Sequence, residues 1–146
     1  MPTKQEGYRF LEHTTDALIE AWGPTLERAF AEAAKGFFDT MINFENVNPS
    51  VEEVVDASGH DEPELLYNWL EELLLRFELR GMAYSTFDID PIFQTSTSFQ
   101  FHGKARGEHY DPAKHGAKTA VKAVTYHMMT IEREAGEVRV RFLLDL

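Results

Sequence analysis

Three polar motifs interrupt otherwise apolar, strand-like runs, and they carry the side chains best suited to chemistry. They are Glu12-His13-Thr14-Thr15-Asp16, Lys122-Ala123-Val124-Thr125-Tyr126-His127 and, last, Leu143-Leu144-Asp145-Leu146. Asp145 stands beside Leu146 and its α-carboxylate, so two anionic groups are tied together covalently. Joined by Asp16, they offer oxygen donors drawn from both ends of the chain. Donors of that kind suit a hard cation, Ca2+ or Mg2+, rather than zinc or copper. The competing roles are a solvated strand end for Asp145 and, for Asp16, a turn in which the carboxylate bonds its own backbone.

Strand alternation in the second motif puts Lys122, Val124 and Tyr126 on one face and Ala123, Thr125 and His127 on the other. An ammonium near Asp16 or Asp145 would compete with a cation or contact a nucleotide phosphate. The bland alternative for His127 is a hydrogen-bonded structural residue. A further string, His109-x-Asp111-x-x-x-His115, lies in a polar stretch from Gly103 to Gly116 that reads as a protruding loop. Its spacing matches no standard transition-metal site, and solvation of the loop is its plain reading.

Taken in order, His13-Thr14-x-Asp16, Lys-Ala-Val-Thr-Tyr-His and the final Leu-Asp-Leu resemble the archease family, the small accessory proteins of RtcB-type RNA ligases, along almost the whole chain. The family commonly has Ala where this chain has Thr15, a departure that leaves the acidic positions intact. The resemblance implies metal-ligand roles for Asp16, Asp145 and Leu146, an extra acidic ligand in Asp39, and a functional surface that includes Lys122 and His127. Text like Gly107-Glu108 through Asp111 and His115 also occurs in the family, which implies partner contact there. The implied function is that of a non-catalytic activator in tRNA splicing and RNA repair, promoting guanylylation and multiple turnover of the ligase, with a divalent-metal site. A general chaperone or scaffold for RNA-processing proteins is the second reading. A free-standing metal-dependent hydrolase of phosphorylated small molecules is the third.

Composition narrows these classes. With no cysteine, disulfides, thiol catalysis and thiolate zinc sites are excluded. A net charge of −11 repels polyanions, so direct nucleic-acid binding is not expected, and a basic protein partner is favoured. The basic residues Lys104, Arg106, Lys114, Lys118 and Lys122 form only a small counter-patch. No phosphate-binding glycine loop, His-Glu-x-x-His helix or Gly-x-Ser-x-Gly elbow occurs, and no nucleophile-and-base pair stands out. The opening Met1-Pro2-Thr3-Lys4-Gln5-Glu6 lacks an apolar run, and no stretch reaches the roughly 18 apolar residues of a membrane span, so a cytoplasmic protein is expected.

The elements that must position the motifs are legible as one domain over residues 1–146. Strands are predicted at Tyr8 to Leu11 and Ala17 to Trp22. A helix follows Thr25, with Leu26, Phe30, Ala33, Phe37 and Met41 as its apolar stripe. Extended structure is expected from Val47 to Ala57. A second helix starts with Asp61, Pro63 and Glu64, buries Leu66, Trp69, Leu70, Leu73 and Phe77, and stops at Gly81. Alternation then predicts strands around Ser85 to Ile89, Thr97 to Phe101, Ala120 to Glu132 and Val138 to Leu144. The fold class is α+β, a two-layer sandwich of a mostly antiparallel sheet with two helices on one face.

Overall fold

The computed structural model describes residues 5–146, and the first four positions, part of the stretch read as lacking a signal peptide, lie outside the described residues. The helix starts obey local chemistry. Thr25 Oγ1 accepts from the Arg28 N–H at 3.1 Å and opens α1 (Leu26–Met41). Asp61 caps α2 (Glu62–Arg80) by accepting from the Glu64 N–H at 2.9 Å. Glu64 reaches back, but to the N–H of His60 at 2.8 Å, one residue beyond the usual box. Gly81 ends α2 with φ 65°, a conformation glycine adopts without a Cβ penalty.

The strands are β1 (Gly7–Leu11), β2 (Ala17–Gly23), β3 (Val51–Gly59), β4 (Met82–Ile89), β5 (Phe93–Gln94), β6 (Phe99–His109), β7 (Ala123–Glu134) and β8 (Glu137–Asp145). The α+β class and the antiparallel pairing are as the periodicity implies. The strands divide into two sheets, ordered β1-β2-β8-β7 and β3-β6-β4, with β5 added to β6. Both helices are shared between them. Helix α1 packs on β1, β2 and β8 and also on β4, while α2 packs on β3 and also on β7. The expected stripe of α1 is therefore only part of its buried surface, which includes Ala31, Ala34 and Phe38 as well. Trp69 of α2, fully buried, donates its indole N–H to the Phe30 carbonyl of α1 at 3.0 Å and meets the edges of Phe87 and Phe101.

One expectation fails outright. The stretch from Gly103 is not a protruding loop: it continues β6, the central strand of the second sheet, to His109. The inward positions after Phe101 are Gly103, Ala105 and Gly107, so the period of two is carried by small residues instead of bulky ones. Space requires this. A Cβ on Gly107 would lie 1.8 Å from the Ala83 carbonyl oxygen, and one on Gly103 would lie 2.8 Å from that of Val55. Beyond it, Pro112–His115 form the single turn α3.

In the first sheet, β2 lies between β1 and β8. Glu20 faces Arg9 on one side and Arg141 on the other. Its carboxylate is 1% exposed and accepts from Arg9 Nε at 2.9 Å and from Arg141 Nε at 2.7 Å. Burial pushes its pKa up, but the bonds to Arg141 and Arg9 outweigh that and leave it below the usual carboxylate range. Removing one member of a buried ion pair costs about 3–5 kcal/mol, less where the partners reach water as both arginines do. Glu20→Ala is therefore expected to destabilise the fold by about 2 kcal/mol, read as a lower urea midpoint with an unchanged slope.

Candidate functional site

The β2–β8 ladder decides where the acidic motifs fall. Ala17 pairs with Leu144 in an antiparallel register, so the next residue outward on each strand is an aspartate, Asp16 and Asp145. Two carboxylates from opposite ends of the sequence thus share one end of the sheet. Asp145 is not on a frayed tail: it closes β8, pairs with Ala123 of β7, and its carbonyl accepts from the Lys122 N–H at 2.7 Å. Leu146 packs its side chain on the hydrophobic core. Lys122, exposed, belongs to this end through that bond.

The donor chemistry fits a hard cation. Asp16 and Asp145 contribute carboxylates and Leu146 main-chain oxygens, with no nitrogen or sulfur among them. Among the described residues, no group of three or more His, Asp or Glu side chains is gathered for a metal ion, so any such site at this end needs the oxygens of Leu146.

Asp39 lies on α1 but is not an exposed helix residue. It is half-buried near the end of α1, where Oδ2 accepts from the Tyr8 hydroxyl at 3.1 Å and Oδ1 from Lys118 Nζ at 2.6 Å. The same ammonium donates to the Asp39 carbonyl at 2.8 Å. Burial and the Asp39 carboxylate both push the Tyr8 phenol well above its ordinary range, which keeps it a donor. As a further metal ligand, Asp39 would have to exchange its bond to Lys118. In the sequence that lysine reads only as part of a small basic patch.

His127 is brought close to neither aspartate by any ladder pairing. The alternation expected through Tyr126 and His127 ends at Thr125, because five steps along β7 (Thr125 to Thr130) match two along β8 (Leu143 to Arg141). The extra residues leave the sheet as a bulge in which Tyr126, His127 and Met128 are exposed.

Glu108, Asp111 and His115 do come together, as an internal brace. Asp111 caps α3 by accepting from the Ala113 N–H at 3.0 Å, and its own N–H donates to His115 Nδ1 at 2.9 Å. With Nδ1 accepting, the ring proton sits on Nε2 and is donated to Glu108 at 2.9 Å. His115 is fully buried, so its imidazole lies beneath the surface. Glu108 also accepts from Lys114 at 2.7 Å and from the Asn48 N–H at 2.9 Å. Bonds from Lys114, Asn48 and His115 hold its pKa down at about 2.

Comparisons with known proteins bear on the family of the chain. Residues 8–146 match the archease protein family (MTH1598/TM1083). A Methanopyrus kandleri protein archease is 42% identical over 136 residues, covering 93% of this chain and 96% of that protein. A Methanosarcina mazei protein archease is 34% identical over 146 residues, covering 100% of both. The solution structure of Methanobacterium thermoautotrophicum protein 1598 superposes with a TM-score of 0.81 at 33% identity, covering 96% of this chain and 99% of that one. The crystal structure of a Thermotoga maritima archease, described as a possible chaperone, shares the fold with a TM-score of 0.57 at 16% identity, covering 94% and 96%. Among the described residues, no helix is long and apolar enough to cross a membrane.

A carboxylate whose folded pKa is depressed adds stability above its unfolded pKa and loses it as pH falls toward the folded value. For Glu108 that window runs from about 4.5 down to about 2. Glu108→Gln should be less stable than the parent at neutral pH, with the gap closing across this window. Urea titrations at stepped pH check it; a gap independent of pH would show that the brace does not depend on the charge.

Proposed function

The chain belongs to the archease family, and we propose that it activates an RtcB-type RNA ligase in the cytoplasm, acting in tRNA splicing and RNA repair without catalysing a step itself. In this reading it promotes guanylylation of the ligase and lets the ligase turn over repeatedly. What supports the reading is the Ala17–Leu144 pairing, which leaves Asp16 and Asp145 as the next residues at one end of the β2–β8 pair, within a family match that spans both positions. Asp16, Asp145 and the main-chain oxygens of Leu146 would hold a divalent ion, Ca2+ or Mg2+. Bound there, such an ion supplies positive charge that offsets phosphate charge during nucleotidyl transfer.

The chain's own groups have defined tasks. Asp145 sits in the β-ladder and Asp16 directly precedes Ala17, the first paired residue of β2, which suits a site that must present charge at a fixed place. Lys122, tethered to Asp145 through the backbone, adds a cation at the rim for a phosphate oxygen. The net charge of −11 favours docking on a basic RNA-handling protein over binding RNA directly. The description of the Thermotoga maritima relative as a possible chaperone supports a second reading, general protection of RNA-processing proteins.

Even outer-shell partners of metal ligands are worth about 10–100-fold, so loss of a ligand should cost at least as much. Asp16→Ala and Asp145→Ala are therefore expected to cut stimulation of ligase guanylylation at least tenfold. Calorimetric Ca2+ or Mg2+ affinity should fall in parallel, with thermal stability in the absence of added metal nearly unchanged. Full stimulation by both variants would remove the metal from the mechanism. No stimulation by the parent, together with suppression of aggregation of unrelated clients, would favour the chaperone reading.

A further inference from the structure

Where β7 leaves the ladder it presents an aromatic surface that the acidic end does not use. Tyr126 stacks on Tyr67 of α2, with ring centroids 4.4 Å apart and planes 8° from parallel. Tyr126 stays 51% exposed, so with one face closed by Tyr67 the opposite face is the one water reaches. Exposed His127 and Met128 stand next to it in the same bulge. Met128 has φ 60° and is the one non-glycine residue with positive φ among the described residues. That conformation costs a bulky side chain free energy, so the surroundings hold the bulge outward.

The setting selects the occupant. Besides burial, Glu64, Asp61 and Glu71 raise the Tyr126 pKa through space, which marks a negative field over the ring. Two nearby basic groups are already taken: Arg133 by Glu62 at 2.6 Å, and His60 by Glu64 at 2.9 Å. A polyanion is repelled here, and a second copy would bring the same carboxylates against these. A strand adding to the edge of β7 would lose its ladder at the bulge. A guanidinium has none of these difficulties: it is flat, stacks on an aromatic face and keeps its charge beside carboxylates. The molecule makes a similar pairing internally, with the Arg9 guanidinium 6.0 Å from the Trp22 ring centroid.

We propose that the Tyr67–Tyr126 stack is a docking platform for arginine side chains of a basic protein partner. The platform is separate from the Asp16–Asp145 end and does not depend on the ligase reading. Its test is a pair of peptides of equal charge, hexa-arginine and hexa-lysine, titrated into the full chain at low salt and followed by amide NMR shifts. Stacking favours arginine, so hexa-arginine should bind about 2–5-fold more tightly, with shifts centred on Tyr67 and residues 126–129. Tyr126→Leu should abolish the preference while Tyr126→Phe keeps it; the half-exposed position allows both to fold. Glu64→Gln with Glu71→Gln should weaken both peptides alike. Equal affinities, a preference that survives Tyr126→Leu, shifts located elsewhere, or occupation of the platform by a second copy or by free nucleotides would each overturn the proposal.

Discussion

A carboxylate removed from water needs partners on more than one side, and Glu20 finds them on both neighbouring strands. The row Arg9–Glu20–Arg141 crosses β1, β2 and β8 at one level, tying residues 121 positions apart in sequence. A slip of one residue would turn every side chain of a strand to the wrong face and leave Glu20 without its arginines. Hydrophobic patterning resists such a slip, but a buried charge resists it with more specificity, because neighbouring rows are not equivalent. Two levels along, on the same face, lie Leu18 and Leu143, both buried, and beyond them Asp16 and Asp145. Four levels of one ladder thus connect a register lock to the acidic end of the sheet.

That ladder needs a floor, and α1 supplies it while also serving the second sheet. A helix pressed from two sides buries a wide face, so Ala29, Ala33 and Ala34 join Phe30, Phe37 and Phe38 in the core while Arg28, Lys35 and Asp39 keep a narrow polar stripe. Gly36 permits the close approach to β2: a Cβ there would stand 2.9 Å from Ile19 and 3.1 Å from Tyr8. Tyr8 in turn spans to Asp39, and Asp39 to Lys118, so the end of α1 is fastened to the segment that leads into β7. Packing and polar contacts here serve one purpose, which is to hold the chain's extremities in a fixed relation.

Where local physics decides the structure, the sequence is legible. The caps Thr25, Asp61 and Gly81 are local chemistry, and the alternating Val138, Val140, Phe142 and Leu144 face the core as their spacing says. Strong patterning marks Asp16 and Asp145 as lying at strand ends, while their meeting at one site is carried by the family resemblance and not by the pattern. The failures share a cause in tertiary context. Strand β6 hides its period in glycine and alanine, since what demands small residues is the backbone of β3 and β4 on either side. Helix α1 buries more than its stripe because a second sheet covers it. The brace of Glu108, Asp111 and His115 looks like loop chemistry in sequence, yet its imidazole is sealed inside. Glu20 leaves a weaker trace in the sequence, a lone acid in the apolar run Ala17 to Trp22; that Arg9 and Arg141 stand level with it follows only from the strand register.

Strand β7 brings these threads together, because it is paired on one side only. An edge strand can take up extra residues without breaking a second ladder, so a bulge of this size costs far less in β7 than it would in β2 or β8. The strand therefore splits its tasks along its length. Ala123 to Thr125 stay in register with Leu143 to Asp145 and keep Lys122 at the acidic end, while the next residues are pushed away from the sheet and against α2. Pairing then resumes at Thr130 opposite Arg141, the same arginine that holds Glu20. The buried row fixes where the bulge must end, and Leu143 fixes where it must begin. An exposed aromatic surface is thus positioned by a buried charge, without any side-chain contact between them in the paired register.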